Sequence, residues 1–297
     1  MSGPCPKCHA EAEILFRTRD HNRRVSAQPF DYHRCSACQL IFLSPVPEDL
    51  APYYPEEYYL APLSREELLE RAAPERYKLD IVRSHVNSGR LLEVGPAYGN
   101  FAGLAQEAGF DVVTIEMDSR CCRFLEEKLG VRAIQSMDVG SAAASLEPLD
   151  AAVFWHVVEH LRDPWSALEA VAGKVRPGGI LVIATPNPLS LQFRVLGRKW
   201  PHIDAPRHLY LIPPDLLSDF LRQTGFRTVS VTTKDPGGVG WDAFGWQTYL
   251  GNAFPSPRMK VFTLLAGRLL WKILSPFESR EGSGTAYTLV ARKGGPA

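Results

Sequence analysis

The sequence lacks the features that would direct a chain to nucleic acid or into a membrane. Its 297 residues contain 33 Lys and Arg against 33 Asp and Glu, so the formal net charge is zero. Phosphate binding needs a basic surface, and nucleic acid is therefore not expected as the main partner. There is no run of 18 apolar residues and no apolar signal region at the start. These absences predict a cytoplasmic protein, long enough for more than one domain.

Two phosphate-binding loops of α/β proteins are also missing. No Gly-x-x-x-x-Gly-Lys-Ser/Thr sequence occurs, which excludes ATP binding by a P-loop. The glycine turn at residues 91–101 has Ala97 and Asn100 where a dinucleotide loop would have its second and third glycines, and it carries the bulky Tyr98. NAD and FAD are disfavoured, because their pyrophosphate must approach bare backbone.

Cysteine is scarce, and its six residues form three close pairs. Without an export signal, close pairs indicate a metal site rather than disulfides. Two pairs are Cys-x-x-Cys knuckles separated by 26 residues, and four thiolates can complete a closed tetrahedral zinc site. We expect a structural zinc bound by Cys5, Cys8, Cys35 and Cys38. Two redox dithiols are the alternative.

Domain boundaries follow from these pieces. Strand-like segments at 12–16 and 30–34 lie between the knuckles, so residues 1–45 are expected to form a small zinc-ribbon unit. Residues 46–74 form a connector rich in tyrosine and proline, and helices over 64–86 are broken at Pro74. A catalytic domain is expected from 75 to 297, with a helical insertion at about 240–280.

The turn at 91–101 is the centre of the predicted catalytic domain. An apolar run ends in Glu93 and Gly95, Gly99 follows, and a helical pattern begins at Phe101. The next predicted strand, 111–116, ends in Glu116, 23 residues after Glu93. An acid at the tip of the second strand is where a ribose is bound through its hydroxyls. A ligand with a ribose and no phosphate is S-adenosylmethionine (SAM).

Strands and helices alternate through the rest of the chain, which indicates a mostly parallel sheet of an α/β protein. The predicted helices are 118–129, 165–175 and 213–224. The predicted strands are 132–134, 149–157, 180–184, 229–233 and 285–292.

These motifs resemble the class I SAM-dependent methyltransferases. Residues 92–99 are similar to their motif I, Glu/Asp-x-Gly-x-Gly-x-Gly, with Ala97 at the middle glycine. Segments 156–164, 176–187, 206–209 and 225–226 resemble a small-molecule branch whose members often carry an N-terminal Cys₄ knuckle domain. The resemblance implies a Rossmann-like sheet whose last strand is antiparallel.

The resemblance also implies a function. We expect transfer of a methyl group from SAM to a sugar, a nucleotide-sugar or a secondary metabolite, at oxygen or carbon. A zinc-ribbon RNA methyltransferase and a non-catalytic SAM-binding protein are the alternatives. The implied cofactor-binding residues are Glu93, Gly95, Pro96, Ala97, Tyr98, Gly99, Phe101, Glu116, Met117, Met137, Asp138 and His156. Asp138 could instead cap a helix or turn.

Candidate catalytic residues follow the fourth predicted strand. The sequence His156-x-x-Glu159-His160 matches an inverted zinc-protease pattern, but that pattern requires a helix. Ligands of open α/β sheets bind at the carboxyl ends of strands, and histidine is a suitable base there. We expect His160 to be the base, His156 a wall of the cofactor site and Glu159 an orienting carboxylate. Structural hydrogen bonds at a helix start are the alternative.

Two further candidates lie beyond the fifth predicted strand. Arg207 could bind an anionic substrate group, and His208 is a second candidate base. A structural salt bridge is the alternative for Arg207.

Residues 258–275 form a predicted helix between Pro257 and Pro276, apolar on most of its circumference. It must bury two faces. The outer face is expected to meet a lid site, a homodimer partner, or a membrane surface with a lipid-linked acceptor.

Overall fold

The computed structural model describes residues 3–55 and 60–295, which contain twelve strands. In chain order they are β1 (Gly3–Pro4), β2 (Glu11–Thr18), β3 (Phe30–Cys35), β4 (Ile41–Leu43), β5 (Gly89–Val94), β6 (Phe110–Glu116), β7 (Arg132–Gln135), β8 (Leu149–Trp155), β9 (Val175–Pro186), β10 (Tyr210–Leu211), β11 (Phe226–Thr232) and β12 (Ala286–Lys293). Every predicted strand is found, with ends that differ by a few residues.

Ten α-helices accompany these strands within the same described ranges. They are α1 (Arg65–Ala72), α2 (Arg76–Arg83), α3 (Asn100–Glu107), α4 (Ser119–Phe124), α5 (Val139–Ala143), α6 (Pro164–Lys174), α7 (Leu191–Leu196), α8 (Pro214–Gln223), α9 (Pro236–Ala253) and α10 (Lys260–Glu278). The predicted break at Pro74 is confirmed, because a 3₁₀ turn at Ala73–Glu75 separates α1 from α2. None of the described helices is long and apolar enough to cross a membrane.

A seven-stranded sheet has the order β11-β12-β9-β8-β5-β6-β7. The pairs β5–β6, β5–β8, β6–β7 and β8–β9 are parallel, and the last strand of the chain is antiparallel. Strands such as β8 are apolar except at Asp150, because helices cover both faces of a parallel sheet. The predicted Rossmann-like sheet, mostly parallel with an antiparallel last strand, is confirmed.

A second, antiparallel sheet of five strands has the order β1-β2-β3-β4-β10. The first four strands come from the cysteine-rich segment, and the fifth comes from much later in the chain. Tyr210 of β10 is paired with Phe42 of β4. The sheet of the small N-terminal unit therefore includes β10, whose residues were predicted to belong to the catalytic domain.

The chain divides into two compact units that interleave along the sequence. One comprises residues up to 55, 185–217 and 231–288, and the other comprises 56–184, 218–230 and 289 onwards. The limits of these units differ from the boundaries expected at 45 and 74. One reason is that the segment after β9 contains β10, which pairs with β4 in the small sheet and so belongs to the same unit. Tyr58 and Tyr59 of the predicted connector lie outside the described residues.

The helix predicted at 258–275 is present, but its predicted end was wrong. A 3₁₀ turn at Pro257–Met259 leads into α10, which continues through Pro276 to Glu278. Proline has no N–H for the carbonyl of Lys272, four residues earlier. The Ser275 hydroxyl donates to that carbonyl at 3.1 Å, so the helix passes the proline without an unsatisfied acceptor.

Candidate active site

The loop between β5 and α3 follows a left-handed path. Gly95, Ala97 and Gly99 have φ values of +66°, +50° and +90°. A Cβ added to Gly95 would lie 2.7 Å from the side chain of Val157, and one on Gly99 would lie 2.5 Å from that of Leu125. Both glycines are therefore required, whereas Ala97 adopts its conformation at a cost of about 1–3 kcal/mol. The predicted strand, tight turn and helix are confirmed.

Glu116 lies at the tip of β6, beside this loop. Its carboxylate accepts hydrogen bonds from the backbone N–H of Ala97 at 3.0 Å, of Met117 at 2.7 Å and of Asp118 at 2.9 Å. Burial raises the pKa of this carboxyl, and the three N–H groups oppose that rise. The acid at the second strand tip and the glycine loop are thus brought together, as the sequence predicted.

Glu93 is the second buried acid at this end of the sheet. Its Oε2 has no hydrogen-bond partner among the described residues, and burial raises the pKa of its carboxyl to about 8. The charge of Lys78 opposes the rise, and Glu75 reinforces it. Lys78 donates to the Glu75 carboxylate at 2.6 Å. The same carboxylate accepts a hydrogen bond from the side-chain amide of Asn100 at 2.8 Å.

Sequence reasoning missed Glu75 and Lys78 as neighbours of this site. Their spacing of three residues indicates a pair on one helix face. It does not indicate that the 3₁₀ turn at Ala73–Glu75 and α2 place them beside the end of β5.

The other predicted cofactor residues have mixed surroundings. Phe101 is buried against Trp155, with ring centroids 5.5 Å apart, so its side chain belongs to the core. Tyr98 is half-buried against Phe124, and Pro96 is buried, its carbonyl accepting the N–H of Gly99. Met117 and Met137 are exposed.

Asp138 caps α5, which is the alternative that the sequence left open. Its carboxylate accepts the backbone N–H of Ser141 at 3.0 Å and the Ser141 hydroxyl at 2.6 Å. These hydrogen bonds hold the pKa of Asp138 below its usual value.

The candidate histidines follow β8 in one turn. The strand was predicted to reach residue 157, but it ends at Trp155 because His156 has a left-handed φ of +57°. The backbone N–H of His156 donates to Ala184 at 2.9 Å, and its ring Nδ1 lies 3.5 Å from Oε1 of the fully buried Glu159. His160 is half-buried. Since Val157 packs against Gly95, this turn adjoins the glycine loop.

Arg207 lies in the other compact unit and is fully buried. Its guanidinium donates to Asp204 twice at 2.8 Å, to Asp20 at 2.7 Å and to the Tyr53 carbonyl at 3.1 Å. Burial raises the pKa of Asp204, but the hydrogen bonds and charge of Arg207 outweigh it and hold that pKa well below its usual range. The expected substrate contact is corrected: the side chain forms the structural salt bridge of the alternative interpretation.

His208 lies in the same unit as Arg207. Its Nδ1–H donates to the carbonyl of His202 at 2.8 Å, and its own carbonyl accepts the Tyr32 hydroxyl at 2.7 Å. A carbonyl only accepts, so a neutral His208 carries its proton on Nδ1 and Nε2 is its basic nitrogen.

The four predicted metal ligands are brought together. Their sulfur atoms all lie within 4.8 Å of one another, with Cys5 to Cys38 at 3.7 Å and Cys8 to Cys35 at 3.4 Å. The edge of a tetrahedral zinc–thiolate site is about 3.8 Å, so the arrangement fits such an ion. The two knuckles have equivalent backbone hydrogen bonds. The N–H of Cys5 donates to the carbonyl of Ala10, and the N–H of Cys35 donates to the carbonyl of Leu40, five residues later in each case.

Comparison with known proteins agrees with this geometry. The family described as "Methyltransferase domain" matches residues 62–231, more than half of the chain. A ubiquinone biosynthesis O-methyltransferase of Cereibacter sphaeroides is 29% identical over 47% of this chain and 61% of its own length. One from Ruegeria pomeroyi is 30% identical over 53% of this chain and 66% of its own length. The chain thus spans less than two thirds of either relative.

The fold has a counterpart among solved structures. A SAM-dependent methyltransferase from Archaeoglobus fulgidus aligns with a TM-score of 0.52 and 21% identity, over 77% of this chain and 95% of its own. Together with the matched family, this assigns the fold. The chain belongs to the methyltransferase domain family, with the fold of the class I SAM-dependent enzymes.

Proposed function

We propose that the protein transfers a methyl group from SAM to a small-molecule acceptor. The observation that carries the proposal is the Glu116 carboxylate, held by backbone N–H groups beside the left-handed loop from Gly95 to Gly99. This places a buried acid and bare backbone together at the carboxyl ends of β5 and β6. Such an edge is where open α/β sheets bind their ligands.

The residues present fit the cofactor. Glu116 would accept the ribose hydroxyls, and the loop from Gly95 to Gly99 would lie along the rest of the molecule. The exposed Met117 and Met137 offer apolar surface on the neighbouring loops. When bound, the cofactor supplies an electrophilic methyl group on a sulfonium.

His160 is our candidate for the general base. It belongs to the turn that packs against Gly95, so an acceptor hydroxyl near the transferred methyl would lie within reach of this turn. We assign His156 as a wall of the cofactor site and Glu159 as the carboxylate that orients it. His208, through Nε2, remains the second candidate base.

The acceptor is proposed to be a hydroxyl compound. The two relatives are named as O-methyltransferases of ubiquinone biosynthesis, which favours oxygen as the methylated atom. Sugars, nucleotide-sugars and phenolic metabolites are the classes to test.

Methyl transfer from labelled SAM to these acceptor classes tests the proposal. His160→Ala is expected to lower kcat about 10²–10⁴-fold while SAM affinity is kept, because a base acts only in the chemical step. His85→Ala is the matched control, since the His85 ring is hydrogen-bonded to Arg292 at 3.2 Å and His85 is not part of the turn after β8. A comparable loss in His208→Ala, with His160→Ala unchanged, would transfer the assignment to His208.

We also propose that one zinc ion is bound by Cys5, Cys8, Cys35 and Cys38. Four thiolates leave no open position, so the ion would stabilise the small sheet. Elemental analysis should find about one zinc per chain. Cys8→Ser should reduce the zinc content per chain. Cys122→Ser, which alters a cysteine outside the cluster, should leave the zinc content unchanged. A fully folded small sheet without metal would contradict the proposal.

A further inference from the structure

Helix α10 exposes an apolar face. Five large apolar side chains on it are between 60% and 68% exposed. They are Val261, Phe262, Leu265, Leu269 and Ile273, and they are referred to here as the α10 face. Four of them repeat at intervals of three and four residues, so they form one stripe along the helix. A surface helix normally turns such a stripe toward the core.

The opposite side of α10 is fixed against α9. Thr263, Gly267 and Glu278 are its buried residues. A Cβ on Gly267 would lie 2.6 Å from the Cα of Gln247, so the two backbones are in close contact there. The helix therefore cannot rotate to bury the α10 face without losing this contact.

A buried polar cluster anchors the carboxyl end of α10. Glu278 Oε1 accepts the indole N–H of Trp246 at 2.8 Å and the side-chain amide of Gln192 at 2.9 Å. Breaking such bonds would leave buried polar groups unsatisfied, which is costly. The outward direction of the α10 face is thus held at two places along the helix.

The charges around the α10 face have one sign. Arg268 and Lys272 are exposed beside the stripe, and Arg258 and Lys260 are exposed at the amino end of the helix, whereas the only acid of α10 is the buried Glu278. Because the whole chain has a formal net charge of zero, this excess of cations is local to the surface around α10. An occupant must offer both apolar contact and negative charge.

A second copy of the chain does not meet that requirement. Arg268 lies near the middle of α10, so an antiparallel two-fold pairing of the face brings the Arg268 side chains of both copies together. Like charges then meet across a desolvated contact, which costs free energy. An anionic lipid surface offers acyl chains to the apolar stripe and headgroups to the cations.

We propose that the α10 face docks on an anionic bilayer surface, with the helix lying in the plane of the interface. The α10 face runs from Val261 to Ile273, which gives an apolar stripe about 18 Å long on a helix of 19 residues. This inference is independent of methyl transfer, because it concerns binding to vesicles.

Vesicle flotation with the full chain tests the proposal. The protein should float with phosphatidylcholine vesicles that contain about a quarter phosphatidylglycerol, and about tenfold less with phosphatidylcholine alone. The double variant Leu265→Asp and Leu269→Asp, and the double variant Arg268→Glu and Lys272→Glu, should each lower binding about tenfold or more. Raising the salt concentration should weaken wild-type binding.

Matched controls distinguish an effect of the α10 face from a general effect of surface hydrophobicity or net charge. Leu60→Asp with Leu63→Asp changes two exposed leucines elsewhere, and Arg222→Glu with Arg227→Glu makes the same change in net charge. Both should float as the wild type does. The proposal is overturned if the wild type does not float at low salt, or if the α10 variants float equally well. A solution dimer that Leu265→Asp with Leu269→Asp dissociates, without flotation, would show a second copy on the face.

Discussion

The loop around Glu116 and the loop around Arg207 both bury charged side chains, but they satisfy them differently. Arg207 has two carboxylates and a carbonyl around its guanidinium, all at hydrogen-bond distance. Glu93 has an oxygen without a partner among the described residues, and Glu116 is held only by backbone N–H groups. A buried charge that has all its hydrogen-bond partners within the protein is typical of a structural role. Acids without a cation partner are typical of a site that a ligand completes.

The largest effect is expected from Arg207→Met. The change leaves Asp20 and Asp204 buried without their cation, and removing one partner of a buried pair costs about 3–5 kcal/mol. Denaturant unfolding should show this loss, while SAM affinity of the folded protein should stay the same.

Arg17→Met is the matched control for Arg207→Met. Arg17 also pairs with an aspartate through two bonds, to Asp31, but its side chain is 63% exposed. An exposed pair contributes about 0–1 kcal/mol, so this variant should be nearly as stable as the wild type. If Arg207→Met were equally stable and instead raised KM for the acceptor, the substrate-binding interpretation would be restored.

An effect of similar size, on SAM affinity and not on stability, is expected from Glu116→Ala. Each hydrogen bond from a ribose hydroxyl to this carboxylate contributes about 1.5–3 kcal/mol to SAM affinity. Calorimetry should therefore show weaker binding. Asp111→Ala changes an exposed acid at the other end of β6 and should bind SAM as the wild type does. Equal affinity in both variants would show that Glu116 does not contact the cofactor.

The difference between the two loops also explains what the sequence could predict. Gly95, Gly99 and Glu116 were identified because their roles are local: a left-handed turn and the end of a strand. The ion pair of Arg207 with Asp20 was not, because Asp20 is 187 residues away along the chain. The end of α10 was misplaced for a different reason: proline usually marks a helix end, but the neighbouring Ser275 hydroxyl donates to the Lys272 carbonyl that Pro276 cannot serve. Sequence patterns indicate where a turn or helix forms, and the satisfaction of buried groups depends on distant residues.

Measured over one pH unit, the smallest effect is expected from Glu93→Gln. Burial raises the pKa of Glu93 to about 8 in the folded state, against 4.5 as its ordinary value. Between these values the folded protein binds a proton that the unfolded chain has lost, so wild-type stability falls as pH rises. Glutamine has the same shape and no proton to lose. The free energy of unfolding of the wild type should fall relative to Glu93→Gln by about 1.4 kcal/mol for each pH unit in this window.

Glu67→Gln is the control for that dependence. Glu67 is half-buried, and the backbone N–H of Leu63 and the side chain of Arg71 hold its pKa below the ordinary value. It is therefore ionised in both states across the same window, and its replacement should add no pH dependence. Unfolding curves at several pH values compare the two variants. Parallel curves for wild type and Glu93→Gln would mean that Glu93 is ionised in the folded protein, and that its charge is as well satisfied as that of Arg207.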